Sequence, residues 1–186
     1  MLTQKLIDQS IPPSRWRAGS FKERKREMSE SKFKTMRHIE TVRNYIGIVI
    51  KELLFRAEEH DQSKLESPEV EIFEVYTPKL RDSVYGSDEY KKYMAEMKPA
   101  IEHHNLMNRH HPEHFGEGFS EMNLIDLVEM LCDWKAATLR HNTGDIRKSL
   151  EINQKRFGYS DDVKKLLSNT VEWLEEQPVH HKANES

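Results

Sequence analysis

Apolar residues recur at three- and four-residue spacing through most of this 186-residue chain, and that period predicts α-helices. The longest run predicts a helix from about Ser29 to Glu59, which the polar segment EEHDQSK ends. No segment alternates apolar and polar residues cleanly, as a half-buried strand does. The pattern therefore predicts an all-α fold, a single bundle of about six to seven helices.

Capping residues divide the chain after Glu59 into shorter predicted helices. Three of these helices follow a serine that can accept a hydrogen bond from the first helical N–H groups: Ser67, Ser87 and Ser160. Pro68 after Ser67 favours the first helical position. The third helix is expected to reach about Arg109. The predicted boundaries are a basic N-terminal arm over residues 1–28, a helical domain over 29–176 and a polar tail over 177–186.

The charge balance adds one local feature to this picture. Charged residues make up 33% of the chain and the formal net charge is −3, so there is no global basic field that would attract nucleic acid. Residues 14–37 are locally basic. We interpret them as a solvated segment that leads into the first helix. Contact with nucleic acid through this arm is the alternative, and it is not favoured.

The chain has one cysteine, Cys132, which excludes a disulfide framework and a thiolate zinc site. It lies in the apolar segment LIDLVEMLCDW, which predicts a buried thiol. The sequence shows no apolar leader and no apolar stretch of 18 residues. These patterns predict a cytoplasmic protein without membrane contact.

Candidate chemistry begins with the adjacent pair His60 and Asp61, which can offer a nitrogen and an oxygen ligand to one divalent cation. Asp133 lies in the middle of an apolar helix, where a carboxylate is costly to bury unless it is paired or bound to a metal. Asp126 lies seven residues earlier on the same face, so helix geometry allows either acid as a ligand. Glu129 between them is expected to be solvated.

Four residues follow one another in a fixed order: His38, His60, Asp61 and Asp133. Lys64 follows the adjacent pair, and the segment LCDWKAA surrounds the last aspartate. This order resembles the motifs of the HD superfamily of metal-dependent phosphohydrolases. The segments HDQSKLESPE, NRHHPEHF and MLCDWKAATLRH also resemble an uncharacterised HD-like family found in phage and bacterial genomes. The resemblance implies an HD-like bundle in which these four residues bind one divalent ion (Mn, Co, Ni, Fe, Zn or Mg). It also implies that Lys64 touches a substrate phosphate.

The segment HHNLMNRHHPEH adds further histidines. His104 and His111 are seven residues apart, on one helical face, and are expected to line the site. The histidines expected at the surface or behind the ligands are His110, His114 and His141. The GYP signature of one two-metal branch does not occur, so the resemblance does not imply a second ion. The predicted catalytic residues are Lys64, His104, Arg109 and His111; Glu66 and Glu69 are further candidates for the acid that protonates the leaving group.

These residues predict a metal-dependent phosphohydrolase that acts on a nucleotide or another small phosphate ester through a metal-activated water. No phosphate-cradling glycine loop, GxSxG elbow or HExxH motif points to another reaction. Two alternatives stay open. One is a non-catalytic regulator of the phage type that binds a nucleotide or a protein, and the other is a di-iron oxygenase. The sequence does not predict an oligomeric state.

Overall fold

The structure, a computed structural model, describes residues 30–83, 87–139 and 144–178. Within these ranges the chain forms α-helices and short 3-10 helices, and no strand. The helices are α1 Glu30–Glu59, α2 Glu69–Asp82, α3 Asp88–Met107, α4 Leu124–Thr138, α5 Ile146–Phe157 and α6 Asp161–Glu175. The 3-10 helices are Gln62–Leu65, Pro112–His114 and Gly118–Glu121. The predicted all-α fold, with six helices in the described part of the chain, is confirmed.

The chain divides into two compact units, residues 1–48 and 49–186. The described part of the first unit is the N-terminal portion of α1, in which Lys34 and Glu30 form an exposed ion pair one turn apart at 2.8 Å. The predicted arm over residues 1–28 lies outside the described residues, as do His141 and most of the predicted tail. The remaining helices and the candidate site below belong to the second unit.

Local capping chemistry sets two of the three helix starts that were predicted from a serine cap. Ser87 Oγ accepts a hydrogen bond from the Tyr90 N–H at 3.1 Å, and Ser160 Oγ accepts one from Val163. The prediction for Ser67 was wrong, because α2 begins at Glu69 and its first turn hydrogen bonds to a backbone carbonyl instead. The carbonyl of Glu66 accepts from the N–H groups of the first two residues of α2, which removes the need for a serine cap.

The apolar core of the second unit lies where α4, α5 and α6 meet. Six buried residues from these helices and the α5–α6 turn form it: Leu131, Ile146, Leu150, Tyr159, Leu167 and Val171. The Tyr159 hydroxyl donates a 2.6 Å hydrogen bond to the Leu150 carbonyl, so the one polar atom that this ring buries has a partner. This packing fixes one side of α4 and leaves its other residues available for the candidate site.

The helices α2 and α3 pack along each other and bury a polar face as well as an apolar one. Met97 and Ala100 of α3 are buried with His104, and Glu69 at the start of α2 is fully buried. A buried carboxylate and a buried imidazole in one interface indicate a functional or paired role rather than ordinary core packing.

Two further predictions meet the structure here. Across the described residues no helix is both long enough and apolar enough to cross a bilayer. The predicted burial of Cys132 was wrong, because its side chain is exposed on α4. Only one stripe of α4 contacts α5 and α6, so an apolar neighbourhood in the sequence did not guarantee burial.

Candidate metal centre

The pair His60 and Asp61 follows the last residue of α1, where the chain leaves the helix. Asp61 has a φ of 59°, in the left-handed region that aspartate tolerates better than most side chains. Its carbonyl accepts a 2.9 Å hydrogen bond from the Lys64 N–H, and a short 3-10 helix follows. The turn therefore holds Asp61 in a strained backbone conformation that a helix would not allow. Such strained residues are common at functional sites.

The second contribution comes from the end of α3. The helix ends at Met107, with Asn108 as its C-cap, so His104 lies on the last turn while His110 and His111 lie in the segment that follows. The helix α3 therefore ends two residues before the predicted end at about Arg109. Because His111 lies beyond the helix, His104 and His111 do not share a helical face as expected. The rings nevertheless lie together, with centroids 4.8 Å apart for His104 and His111.

His110 is the largest correction among the histidines. It was expected at the surface or behind the ligands, and its exposure of only 1% excludes the surface. Its ring centroid lies 4.1 Å from that of His111 and 4.5 Å from that of His60. The chain turn after Asn108 brings it inward, which helical periodicity could not anticipate. His114 is half-buried, and its Nδ1 donates a 2.7 Å hydrogen bond to the Leu106 carbonyl oxygen.

Three overlapping groups of side chains bring potential ligand atoms within 4.8 Å of one another in the described part of the chain. They are Asp61 with His104, His110 and His111; His60 with His110 and Glu129; and His60 with Asp61 and Asp133. Five of the seven were predicted as metal ligands or catalytic residues from the sequence: His60, Asp61, His104, His111 and Asp133. The two that sequence reasoning missed are His110 and Glu129.

Asp61 is the centre of this cluster, and its two oxygens face different neighbours. Oδ1 lies 3.2 Å from His104 Nε2 and 3.5 Å from His110 Nε2. Oδ2 lies 3.6 Å from His60 Nε2, which in turn lies 3.7 Å from Asp133 Oδ1. Two ligands bound about 2.1 Å from one ion, at octahedral or tetrahedral angles, lie about 3.0 to 3.4 Å apart. The spacing in the cluster is close to that range.

Two buried carboxylates support the imidazoles from behind. Glu69 accepts hydrogen bonds from His104 Nδ1 at 2.9 Å and from His103 Nδ1 at 2.8 Å. Glu129 accepts one from His60 Nδ1 at 3.0 Å. His110 Nδ1 also lies 3.0 Å from Glu129, although it is not aligned for a hydrogen bond. The expected solvation of Glu129 was therefore wrong: its side chain is 9% exposed, because α4 turns it toward the histidines.

The contact with Glu69 favours a proton on His104 Nδ1, the nitrogen that also lies 3.0 Å from Asn108 Nδ2. An ionised carboxylate only accepts, so the ring donates from Nδ1 to Glu69, and a neutral ring then has a bare lone pair at Nε2. That lone pair faces the Asp61 carboxylate, which is also an acceptor. Buried atoms without a hydrogen-bond partner accumulate at this point: Asp61 Oδ1, His104 Nε2, His110 Nδ1, His110 Nε2 and His111 Nε2.

Opposed buried acceptors repel each other unless a proton or a cation lies between them. A histidine that donates its rear N–H to a carboxylate and points its other nitrogen into a cluster is the usual arrangement of a metal ligand. The donor set therefore fits a divalent metal ion bound by nitrogen and oxygen.

The electrostatics of the cluster agree with a site for positive charge. The carboxylates of Asp133 and Glu129 raise the pKa of His60 to about 10. Burial by itself would raise the pKa of Asp61, but a hydrogen bond from His104, when that ring is protonated at Nε2 as well, and one from Lys64 hold it well below its ordinary value. Burial, together with His110 and His104, lowers the pKa of His111 to about 3, so this ring is neutral at physiological pH. A proton on His60 supplies the charge that the ionised acids require.

Asp126, the other acid that the sequence allowed as a ligand, has a different role. It is fully buried, and its Oδ2 accepts from the Asn123 N–H, which completes a capping box at the start of α4. Arg56 and Arg109 both donate to it, at 3.0 Å and at 3.1 to 3.2 Å. Asp126 belongs to none of the three ligand groups, whereas Asp133 does.

The other predicted site residues lie either at the edge of the cluster or outside it. Lys64 donates a hydrogen bond from Nζ to Asp61 Oδ2, at the edge of the cluster. Arg109 is engaged by Asp126 and stacks its guanidinium over the Phe115 ring. His38 lies on α1, is exposed, and is in none of the three groups.

The sequence held partial signals for the residues that were missed. Two adjacent histidine pairs within nine residues, at 103–104 and 110–111, mark a segment in which at least one member of each pair can point inward. Glu129 shares a helical face with Asp126 and Asp133, so burial of one acid makes burial of its neighbours more probable. The position of Glu69, predicted only as a candidate acid, behind His103 and His104 had no such signal, since these partners are 34 and 35 residues away.

The chain belongs to a family described as a family of unknown function (DUF5662), whose model matches residues 27–178. The match includes every residue of the cluster and all six described α-helices. No curated protein matches the chain. No solved structure matches it either.

Proposed function

We propose that this protein is a metal-dependent phosphohydrolase that acts on a nucleotide or another small phosphate ester. The observation that carries the proposal is the set of buried ring nitrogens and the Asp61 oxygen that converge without hydrogen-bond partners. The order of His60, Asp61, Lys64 and Asp133, which resembles HD phosphohydrolases, supports the choice of reaction class. His38 is not part of the proposed ligand set, because the ligand groups form without it.

The ligand groups support two ion positions that share Asp61. The first would use His60 Nε2, Asp61 Oδ2 and Asp133 Oδ1, and the second Asp61 Oδ1, His104 Nε2 and the rings of His110 and His111. A carboxylate between two positions offers one oxygen to each, and paired ions about 3.5 to 4 Å apart are common in phosphoryl-transfer sites. Glu69 and Glu129 would hold the ligand rings in place.

A divalent ion in this cluster would supply Lewis acidity, polarising a phosphoryl oxygen and lowering the pKa of a water molecule. The overall reaction adds the water oxygen to phosphorus, breaks the ester P–O bond and passes a proton to the departing alcohol. Lys64 is the residue best placed to bind the phosphate, because its Nζ already contacts Asp61 at the edge of the cluster. Arg109 is less suited to this role, since Asp126 holds its guanidinium.

Metal stoichiometry after removal of single ligands tests the two positions. Elemental analysis after equilibration with Mn²⁺ should give two ions in the wild type, one in His60→Ala and one in His104→Ala. Asp61→Ala should give none, because it removes the shared ligand. His114→Ala is the matched control and should keep both ions, since His114 lies outside the three groups. Two ions in Asp61→Ala would refute the shared-carboxylate arrangement.

The reaction is tested by phosphate release from a panel of nucleotides and simple phosphate esters with Mn²⁺ or Co²⁺. We expect release that Asp61→Ala abolishes and that Lys64→Ala lowers by about tenfold or more, through a lost charge-assisted contact. Tight nucleotide binding without phosphate release would instead favour the regulator, and two irons with oxygen consumption would favour the oxygenase. Either result would overturn the hydrolase proposal.

A further inference from the structure

A groove beside the cluster has a composition unlike that of the cluster itself. It lies between the last turns of α1 and the middle of α4, and encloses a cavity of about 420 Å³. That volume is in the range of pockets that hold small molecules. Its walls are apolar or small: Leu53, Ala57, Val128, Cys132 and Ala136. We call this cavity the α1–α4 groove.

One end of the α1–α4 groove is formed by the candidate ligands His60 and Asp133. A neighbouring polar cavity of about 350 Å³ is lined instead by Gln62, Ser63 and Asn108, among others, and touches neither of these two ligands. The first ion position therefore opens toward an apolar groove rather than toward a polar one. A molecule that reaches His60 and Asp133 through this groove places its remaining atoms against apolar side chains.

The charged residues along the groove have partners of their own. Arg56 donates to Glu52, Asp126 and Glu129, so its guanidinium is neutralised by three carboxylates. Glu129 is in turn occupied by Arg56 and His60. Both residues are therefore already paired with charged or hydrogen-bonding groups of the protein. Burial of an uncharged apolar group is the interaction that this lining favours.

We propose that the α1–α4 groove binds the apolar alcohol portion of the substrate, a branched aliphatic or aromatic group, while the phosphate lies at the His60–Asp133 end. This inference rests on the proposed function. Of its two substrate classes it keeps the small phosphate esters, as monoesters of apolar alcohols, and sets aside the nucleotides, whose sugars are polar. Sugar phosphates are disfavoured, because their hydroxyl groups would lose water in the groove without gaining partners. Ala57 and Ala136 set the width of the groove.

The test compares cyclohexyl phosphate with methyl phosphate, whose leaving alcohols have similar acidity but differ in apolar area. Affinity is measured by calorimetry on the full chain in Mn²⁺, and needs no turnover. We expect cyclohexyl phosphate to bind about tenfold or more tightly than methyl phosphate, as partial burial of several methylene groups predicts. Ribose 5-phosphate should show no such gain over methyl phosphate.

The variant Ala136→Phe fills the groove at a position that is already exposed, so folding is preserved. It should lower the ratio of the two affinities by about tenfold. Ala95→Phe, the same change at an exposed position of α3, is the control and should leave the ratio unchanged. An equal affinity for the two esters in the wild type, or an unchanged ratio in Ala136→Phe, would overturn the inference.

Phosphate release is followed in the same samples and separates the two proposals. Discrimination in binding without any phosphate release would refute the hydrolase and keep the apolar groove as a ligand site. Release of phosphate from both esters with equal affinities would keep the hydrolase and refute the groove. Preference for ribose 5-phosphate over cyclohexyl phosphate would also refute the groove.

Discussion

At the scale of single residues, the candidate site depends on which nitrogen of each imidazole faces which acid. His60 and His104 each turn Nδ1 to a buried carboxylate and leave Nε2 toward Asp61. Because the rear carboxylate fixes the tautomer, Glu69 and Glu129 decide whether the rings present a lone pair to the cluster. Their effect is exerted through the rings, and neither is placed as a direct partner of the substrate.

A prediction at this scale concerns Glu129, which serves His60 directly and lies beside His110. Glu129→Gln should weaken Mn²⁺ binding by about 10- to 100-fold, as loss of a carboxylate behind a ligating histidine does. The cause is that an amide can donate toward the ring and stabilise the wrong tautomer. Calorimetric titration with Mn²⁺ measures the change.

The matched control for this prediction is Glu172→Gln, which alters an exposed glutamate of α6. It should leave the affinity for Mn²⁺ within about twofold of the wild type, since surface substitutions away from a site have small effects. Unchanged affinity in Glu129→Gln would show that the contact with His60 does not hold the ring for a metal ion.

At the scale of helices and turns, local chemistry explains why the elements start and stop where they do. The αL conformation of Gly158, with a φ of 70°, ends α5, and Ser160 begins α6 two residues later. The Ser160 cap was predicted, because a serine side chain acts on the residues next to it. The start of α2 was mispredicted, since a backbone carbonyl replaced the serine and a carbonyl partner leaves no mark in the side-chain sequence.

Two of the predictions from the sequence are incompatible with each other at this scale. An uninterrupted helix advances about 1.5 Å per residue, so the 22 residues from His38 to His60 would span about 33 Å. A helix predicted from Ser29 to Glu59 therefore excludes a shared ion between these two histidines. The resemblance implies the pairing, and the assignment of His38 as a ligand stays a prediction.

A prediction at this scale concerns Asp126, which caps α4 and pairs with Arg56 of α1 and Arg109. Asp126→Asn should lower the free energy of unfolding by about 2 kcal/mol near neutral pH, because two buried or half-buried guanidinium groups lose their charged partner. Asp162→Asn, an exposed change at the first turn of α6, is the control and should cost about 0.5 kcal/mol or less. Urea denaturation measures both.

The stability difference between the wild type and Asp126→Asn should depend on pH in one direction only. Burial would raise the pKa of Asp126, but hydrogen bonds from Arg109, the Asn123 N–H and Arg56 lower it overall from 3.8. A carboxyl group whose pKa is lower in the folded state stabilises the protein above its unfolded pKa and ceases to do so as pH falls through the folded value. The gap between the wild type and Asp126→Asn should thus be constant above about pH 5 and shrink below pH 4. A gap that grew on acidification would contradict the assignment.

At the scale of the whole molecule, separate elements bring the ligand atoms together. The turn after α1 provides His60 and Asp61, the end of α3 and the segment after it provide three histidines, and α4 provides Asp133, with Glu129 behind His60. No element holds a complete ligand set. Metal binding should therefore stabilise the folded state, in which alone the ligands converge.

This coupling gives a prediction for thermal unfolding. Mn²⁺ at about 100 times its dissociation constant should add about 2.7 kcal/mol of stability, or a rise of several degrees in Tm for a chain of this size. Addition of EDTA should reverse the rise. Asp61→Ala should show no rise, and scanning calorimetry distinguishes these outcomes. A Tm that did not respond to Mn²⁺, Co²⁺ or Zn²⁺ in the wild type would argue against a metal centre.

The sequence by itself determined the helical class, most of the helix boundaries and the central pair His60 and Asp61, because periodicity and capping act between near neighbours. It could not choose between Asp126 and Asp133, and it placed His110 and Glu129 outside the site. The tertiary structure decided these, since the choice depends on what lies opposite each side chain. Asp126 pairs with two arginines. Glu129 instead lies beside the imidazoles of His110 and His60, which are 19 and 69 residues away in the chain. A partner at such separation is set by packing of whole helices, which no local pattern records.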